Sequence, residues 1–207
     1  MPAASWRRAA APLILASALI VLALVLVVPT AGAAPTPIGG GQALLTTDQA
    51  QTFVELWGAN AVFMPVAPST IAPGNADFLI NSSLAGGSFD PATHRGTIRL
   101  KGGFSILSKQ TMSAWTILQF TGVKLSLGAT STARGTFDGG ATKTFATLDL
   151  SHATTTMSLK NGHVYATVRG IKARMTPWFF AQLKLALPLY AGPSHALGTY
   201  RVTMRLN

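Results

Sequence analysis

Residues 86–107 read G-G-S-F-D-P-A-T-H-R-G-T-I-R-L-K-G-G-F-S-I-L. Ile98, Leu100, Phe104 and Ile106 share one parity, whereas Arg95, Thr97, Arg99, Lys101 and Ser105 take the other. An extended chain would therefore put apolar side chains on one face and mostly polar or basic ones on the other. This predicts a long, half-buried strand. Phe89-Asp90-Pro91-Ala92-Thr93-His94 precedes it with turn chemistry, because Pro91 fixes its own φ and biases Asp90 away from the helical region. The strand is then the second arm of a hairpin. Gly102-Gly103 interrupts it without changing parity, the mark of a bulge or of close approach by another backbone.

Alternation of the same kind recurs on both sides. Upstream, Ala61–Met64 is a short apolar run stopped by Pro65, and 77–84 leads into the central stretch. Downstream, 114–127 holds two runs with Gly122 as a bulge between them; 133–137, 144–150 and 154–159 follow, rich in β-branched threonine. Lys160-Asn161-Gly162-His163 is a two-residue hairpin signal, so 154–171 forms one hairpin, and Tyr200–Leu206 alternates to the end. Two short helices are expected. One follows a Thr46-Thr47-Asp48-Gln49 capping box, with Ala50, Phe53, Val54 and Trp57 on one stripe. The other starts at Thr176-Pro177 and runs over 178–187, apolar nearly all round and so buried. The fold class is all-β: a sandwich or partly open barrel of about nine strands with two short helices.

Residues 1–34 carry Arg7-Arg8, an apolar run and Ala31-Gly32-Ala33, the pattern of a signal peptide or of an uncleaved N-terminal membrane anchor. Residues 35–45, rich in Pro and Gly, are expected to be a linker, and 46–207 a single β-rich domain, secreted or held at the cell surface. The absence of cysteine excludes a disulfide framework, a thiolate nucleophile and Cys-based metal sites. Removing Arg7 and Arg8 from the 16 basic residues leaves 14 against six acidic ones, a net charge of +8. Such an excess attracts an anionic cell-wall polymer or membrane surface, and Arg95, Arg99 and Lys101 on the polar side of the central strand are the candidate contacts.

Enzymatic motifs do not emerge. There is no Gly-x-Ser-x-Gly elbow, no motif selects a pair of aspartates, and His94, His152, His163 and His195 lack metal-ligand spacing. A non-catalytic protein without a cofactor follows as the expectation. No nucleic-acid partner is expected, since no RNA-recognition signature is present and Phe104, Trp115 and Phe120 are needed for a core. His163 and Tyr165, at i and i+2 on one strand face, are the best polar pair, and an imidazole and a phenolate are the side chains that could hold an iron-centred ligand.

The stretch 78–204, and most specifically Gly87–Phe104, with Phe145-Ala146-Thr147-Leu148-Asp149-Leu150 and Met175-Thr176-Pro177 further on, resembles the Htaa-type domain of secreted actinobacterial haem-uptake and cell-envelope proteins. The resemblance implies a β-rich fold with short helices, export to the cell surface and, as an alternative function, binding or transport of haem or another apolar ligand. Two family features are not matched. Phe53-Val54-Glu55-Leu56-Trp57 has no tyrosine where the family's ligating one lies, and Gly102-Gly103-Phe104-Ser105-Ile106-Leu107 lacks the family's histidine.

Overall fold

The computed structural model describes residues 34–47, 61–72, 79–108, 117–187 and 195–207. The expected export segment, the expected helix over 50–57 with Trp57, and Trp115 lie outside the described residues. Ala34–Asn207 forms one compact unit. Its strands are β1 (Thr36–Thr46), β2 (Ala61–Val66), β3 (Thr70–Ile71), β4 (Leu79–Asp90), β5 (Arg95–Leu100), β6 (Gly103–Ser108), β7 (Ile117–Leu127), β8 (Thr132–Phe137), β9 (Thr142–Asp149), β10 (Thr154–Lys160), β11 (His163–Met175) and β12 (Ala196–Leu206), with one described helix, α1 (Pro177–Ala186).

All pairings are antiparallel. Following β7-β5-β4-β1-β12-β11-β9-β8 and returning to β7 through the β7–β8 pairing closes an eight-stranded barrel. The all-β expectation therefore holds, as a closed barrel. Three strands share an edge between two partners. β7 pairs with β6 along its first half and β5 along its second, β11 pairs with β10 and then β9, and β4 carries the short β3 beside β5. β2, β3, β6 and β10 thus extend the wall beyond the closed ring.

The central stretch is one long bent strand. Gly96↔Leu127 through Arg99↔Lys124 pairs its first part, and Gly103↔Thr121 through Leu107↔Ile117 its second, along the same edge of β7. Ile98, Leu100, Phe104 and Ile106 are all buried, as their parity requires. The bend falls at Lys101-Gly102, where the Lys101 N–H donates to the Ser83 carbonyl (2.8 Å) and the Gly122 N–H to the Gly102 carbonyl (3.0 Å). Close approach is the reason for the second glycine. A Cβ on Gly103 would drive into the Phe120 carbonyl.

Residues 35–45 are not a linker. They hold β1, which pairs with β4 on one side and β12 on the other. The glycines that suggested a linker admit neighbouring backbone: a Cβ at Gly41 would strike the Thr203 carbonyl. Pro65 does not end β2, which continues to Val66, because β2 lies at the sheet edge, where a missing donor is tolerated. The Asn161-Gly162 hairpin forms as expected, with Lys160 opposite His163 and Asn161 at φ 50°.

Phenyl rings fill one end of the barrel. Phe104, Phe120 and Phe137 lie in one cross-strand row, with Phe120 centred 4.7 Å from Phe145. Helix α1 packs onto them: Phe179 meets Phe120 at 5.1 Å and 88°, and Trp178 meets Phe137 at 5.1 Å and 84°, edge-to-face geometry that adds about 0.5–1.5 kcal/mol per pair beyond area burial. Thr176 caps the helix, its Oγ1 accepting from the Phe179 N–H and donating to the Thr144 carbonyl. Only Phe179 and Leu183 of α1 are fully sunk, and Leu185 stays 75% exposed. The helix covers one end of a barrel and so buries one face instead of its whole circumference.

Gly103→Ala should lower the unfolding free energy by about 2–4 kcal/mol in urea titrations, because backbone must move to admit the methyl group. Gly128→Ala, whose Cβ would meet nothing nearer than the Arg95 Cγ at 4.0 Å, should stay within about 0.5 kcal/mol of the parent.

Candidate functional site

Alternation through the wall sorts side chains into rows. Ile98, Leu125, Ala133 and Ala146 stand side by side on β5, β7, β8 and β9, and each is 0% exposed. One residue along, the wall points outward. Arg99 lies opposite Lys124, and Lys124 opposite Arg134, all three exposed. Next to this row runs a second outward row, Thr97, Ser126, Thr132 and Thr147, likewise in register. The outer face thus carries a line of cations flanked by a line of hydroxyls. Gly86, opposite Arg99, leaves room for the guanidinium, whose Nη2 would stand 3.7 Å from a Cβ there.

Like charges directly opposite on neighbouring strands repel. The described carboxylates are engaged elsewhere. Asp90 accepts from Thr93 Oγ1 (2.6 Å) and the Ala92 N–H (2.9 Å), Asp138 from the Gln119 N–H (2.7 Å), and Asp149 from the Ser151 N–H (2.8 Å). The Thr93 hydroxyl, then the Ala92 amide, with a smaller pull from Arg95, hold Asp90 below the usual carboxylate value of 3.8. The Ser151 amide and hydroxyl, with His152 and Lys172 behind them, do the same for Asp149. Arg99, Lys124 and Arg134 are not among the charges that shift either group.

The structure separates the expected contacts. Arg99 joins the cationic row. Arg95 sits at the other end of β5 opposite Asp90, which partly neutralises it. Lys101 is exposed at the bend, its backbone tied to Ser83 and Ser69. Lys124 and Arg134 carry no contact signal in the sequence: one is a basic residue between Val123 and Leu125, the other between Ala133 and Gly135, and their alignment with Arg99 follows from register across β7 and β8.

His163 and Tyr165 share a face of β11, His163 exposed beside the hairpin turn and Tyr165 half-buried between Ser158 and Arg205. Arg205 is held by the Gly39 carbonyl at 3.1 Å. Helix α1 follows the opposite end of β11, so Tyr165 lies near the end of that strand away from the helix. Tyr200 lies inside the barrel, and burial pushes its phenol up. Among the described residues, no group of three His, Cys, Asp or Glu is placed to hold a metal ion, and no helix is long and apolar enough to cross a membrane.

No family model matches the chain, and no curated protein does. Among solved structures, the chain is similar to the C-terminal domain of HtaA from Corynebacterium glutamicum, with a TM-score of 0.54 at 12% identity over 83% of this chain and 99% of that one. The likeness is one of fold, and it agrees with the fold that the sequence resemblance implied.

The Asp90 turn yields a pH test. Its depressed carboxyl contributes stability that is present above the ordinary value of 3.8 and is lost as pH falls through the lower folded value. Thr93→Val should raise the NMR-measured pKa of Asp90 toward 3.8, while Asp149, held down by Ser151, keeps its lowered value.

Proposed function

We propose that this chain is an exported, non-catalytic envelope protein whose outer barrel face associates with a phosphate-bearing surface, either an anionic cell-wall polymer or acidic lipid. The observation that carries the reading is the Arg99–Lys124–Arg134 row with its flanking hydroxyls. A row of cations lined up on adjacent strands is unfavourable alone. An anionic polymer or headgroup layer relieves the repulsion, and the Thr97, Ser126 and Thr132 hydroxyls supply donors for phosphate oxygens, while that of Thr147 is given to the Arg174 carbonyl. Side chains standing out from a strand do not enclose a ligand, so the contact is multivalent and tolerant of the anion's detailed structure. Arg95 and Lys101 extend the same basic surface along the β5 side.

A second reading rests on the likeness in fold to the HtaA domain and on the sequence resemblance: capture of haem on the outer face of β11, with Tyr165 as the iron ligand and His163 beside it. Phe89, Phe120, Phe145 and Phe179 fill the interior, which leaves the outer face for haem, and there Tyr165 has Ser158 and Arg205 as its cross-strand neighbours, polar groups that do not shelter a porphyrin; this favours the surface reading. Titrating residues 34–207 with haem should give no saturable, shifted Soret band. A band that is lost in Tyr165→Phe would replace the first reading with the second.

Binding of residues 34–207 to anionic vesicles and to isolated cell wall should be measured separately by co-sedimentation, which tells lipid from polymer. Exposed charges are screened over about 10 Å at 0.1 M salt, so binding should weaken steeply with salt. At about 1 kcal/mol per cation, replacing Arg99, Lys124 and Arg134 together by Gln should lower low-salt affinity roughly 100-fold. The same variant should unfold no more easily than the parent, since its mutual repulsion is gone. Binding that is insensitive to salt, or unchanged in the variant, would refute the mechanism.

A further inference from the structure

β10 stands apart from the rest of the wall. Among the described residues it pairs with β11 alone, and six of its seven residues are exposed. Met157 is 49% exposed and Leu159 74%, beside Val164 at 41% on β11. Natural edge strands are usually blunted by a proline, a bulge or an inward-pointing charge. T-T-T-M-S-L-K has none of these, and its one charge is at the last residue.

The register fixes which backbone groups are free. Lys160 and His163 close the two-residue hairpin and are directly opposite, so they exchange hydrogen bonds, as do alternate pairs back along the strand. The N–H and C=O of Thr155, Met157 and Leu159 therefore point to the open edge. These three residues also share one side-chain face, the apolar one.

From this geometry we infer that β10 is a self-association site, at which two copies of the chain join antiparallel edge to edge about a twofold axis through Met157. That register places Met157 opposite Met157 of the second copy and Leu159 opposite Thr155. Roughly six hydrogen bonds form between the groups that point outward, and the exposed apolar side chains cover one another. Charge selects the arrangement. Lys160 falls opposite Thr154 and not opposite its own mate, whereas elsewhere the wall is studded with exposed cations such as Lys124, Arg134, Lys172 and Arg174. The interface is isologous, so it consumes the edge of both copies and closes at a dimer. Seven residues a side fall short of the 20–30 residues a side of a standard interface, so the dimer is reversible and dependent on concentration.

The chain has no cysteine, which makes a single introduced thiol informative. In the full chain as expressed, Met157→Cys should form a disulfide-linked dimer under mild oxidation, because directly opposite residues of a hydrogen-bonded pair lie about 5.5 Å apart at Cα, within the disulfide range. Ser158→Cys, whose mate is displaced diagonally and which faces the other side, should crosslink at least tenfold less. Met157→Lys places two cations on the axis and should abolish the concentration-dependent rise in sedimentation coefficient. Met157 is half exposed, so these changes leave the core intact, and an unchanged circular dichroism spectrum verifies it. Equal crosslinking at both positions, a monomer at every concentration, or self-association unaffected by Met157→Lys would overturn the proposal. Captured peptide or lipid on Met157 and Leu159 of a chain that stays monomeric would overturn it too.

Discussion

A barrel strand with one buried face can change direction only by giving up residues to a bulge, and a single inserted residue reverses which side chains face inward. The apolar pattern of this chain is written around that constraint. β1 shifts register between Ile38 and Gly40, β4 between Leu84 and Gly86, and β11 between Val168 and Ile171. In each, the buried set changes parity across the shift: Ile38 gives way to Ala43 and Leu45, Leu84 to Phe89, Val168 to Ile171. The passage from β5 to β6 spends two residues, Lys101 and Gly102, and parity survives. Were any one of these insertions deleted, half a strand's apolar side chains would face water.

The same constraint explains what could be read in the sequence. Local signals were legible: the alternation on both sides of Gly102-Gly103, the Asn161-Gly162 turn, the Thr176-Pro177 helix start and the Asp90 turn are each set by residues within a few positions. What failed depended on distant partners. Residues 35–45 looked like a linker because Gly39-Gly40-Gly41 is loop chemistry when isolated, yet it is a strand where the β12 backbone comes close at Thr203. Closure of the ring rests on the β7–β8 pairing and on β1 bridging β4 to β12, neither of which leaves a mark in composition. Of the cationic row, Arg99 was identifiable from the parity of its own strand. Lys124 and Arg134 were not, because which residue of β7 and β8 stands beside Arg99 is decided by bulges whose offsets no single strand reveals.

Filling of the interior and charging of the exterior are complementary results of one pattern. Each 0%-exposed residue in the row Ile98–Leu125–Ala133 is neighboured along its strand by a cation that must face out. The core therefore fixes the geometry of the charged face, with backbone hydrogen bonds holding the three strands in register. Two copies joined along β10 would present two such faces, and linked weak contacts gain avidity without any new contact if both can reach one surface. The fold likeness to an HtaA domain at 12% identity is compatible with this division, since a similar fold does not require identical outward side chains.

Amide chemical-shift mapping of residues 34–207 during titration with short-chain inorganic polyphosphate at low salt separates binding along the Arg99–Lys124–Arg134 row from diffuse attraction to the whole basic surface. Perturbations should saturate together at Thr97–Arg99, Lys124–Ser126 and Thr132–Arg134, and vanish when salt is raised. Shifts spread evenly over all exposed lysines and arginines, or concentrated on β11 around Tyr165, would contradict binding along that row.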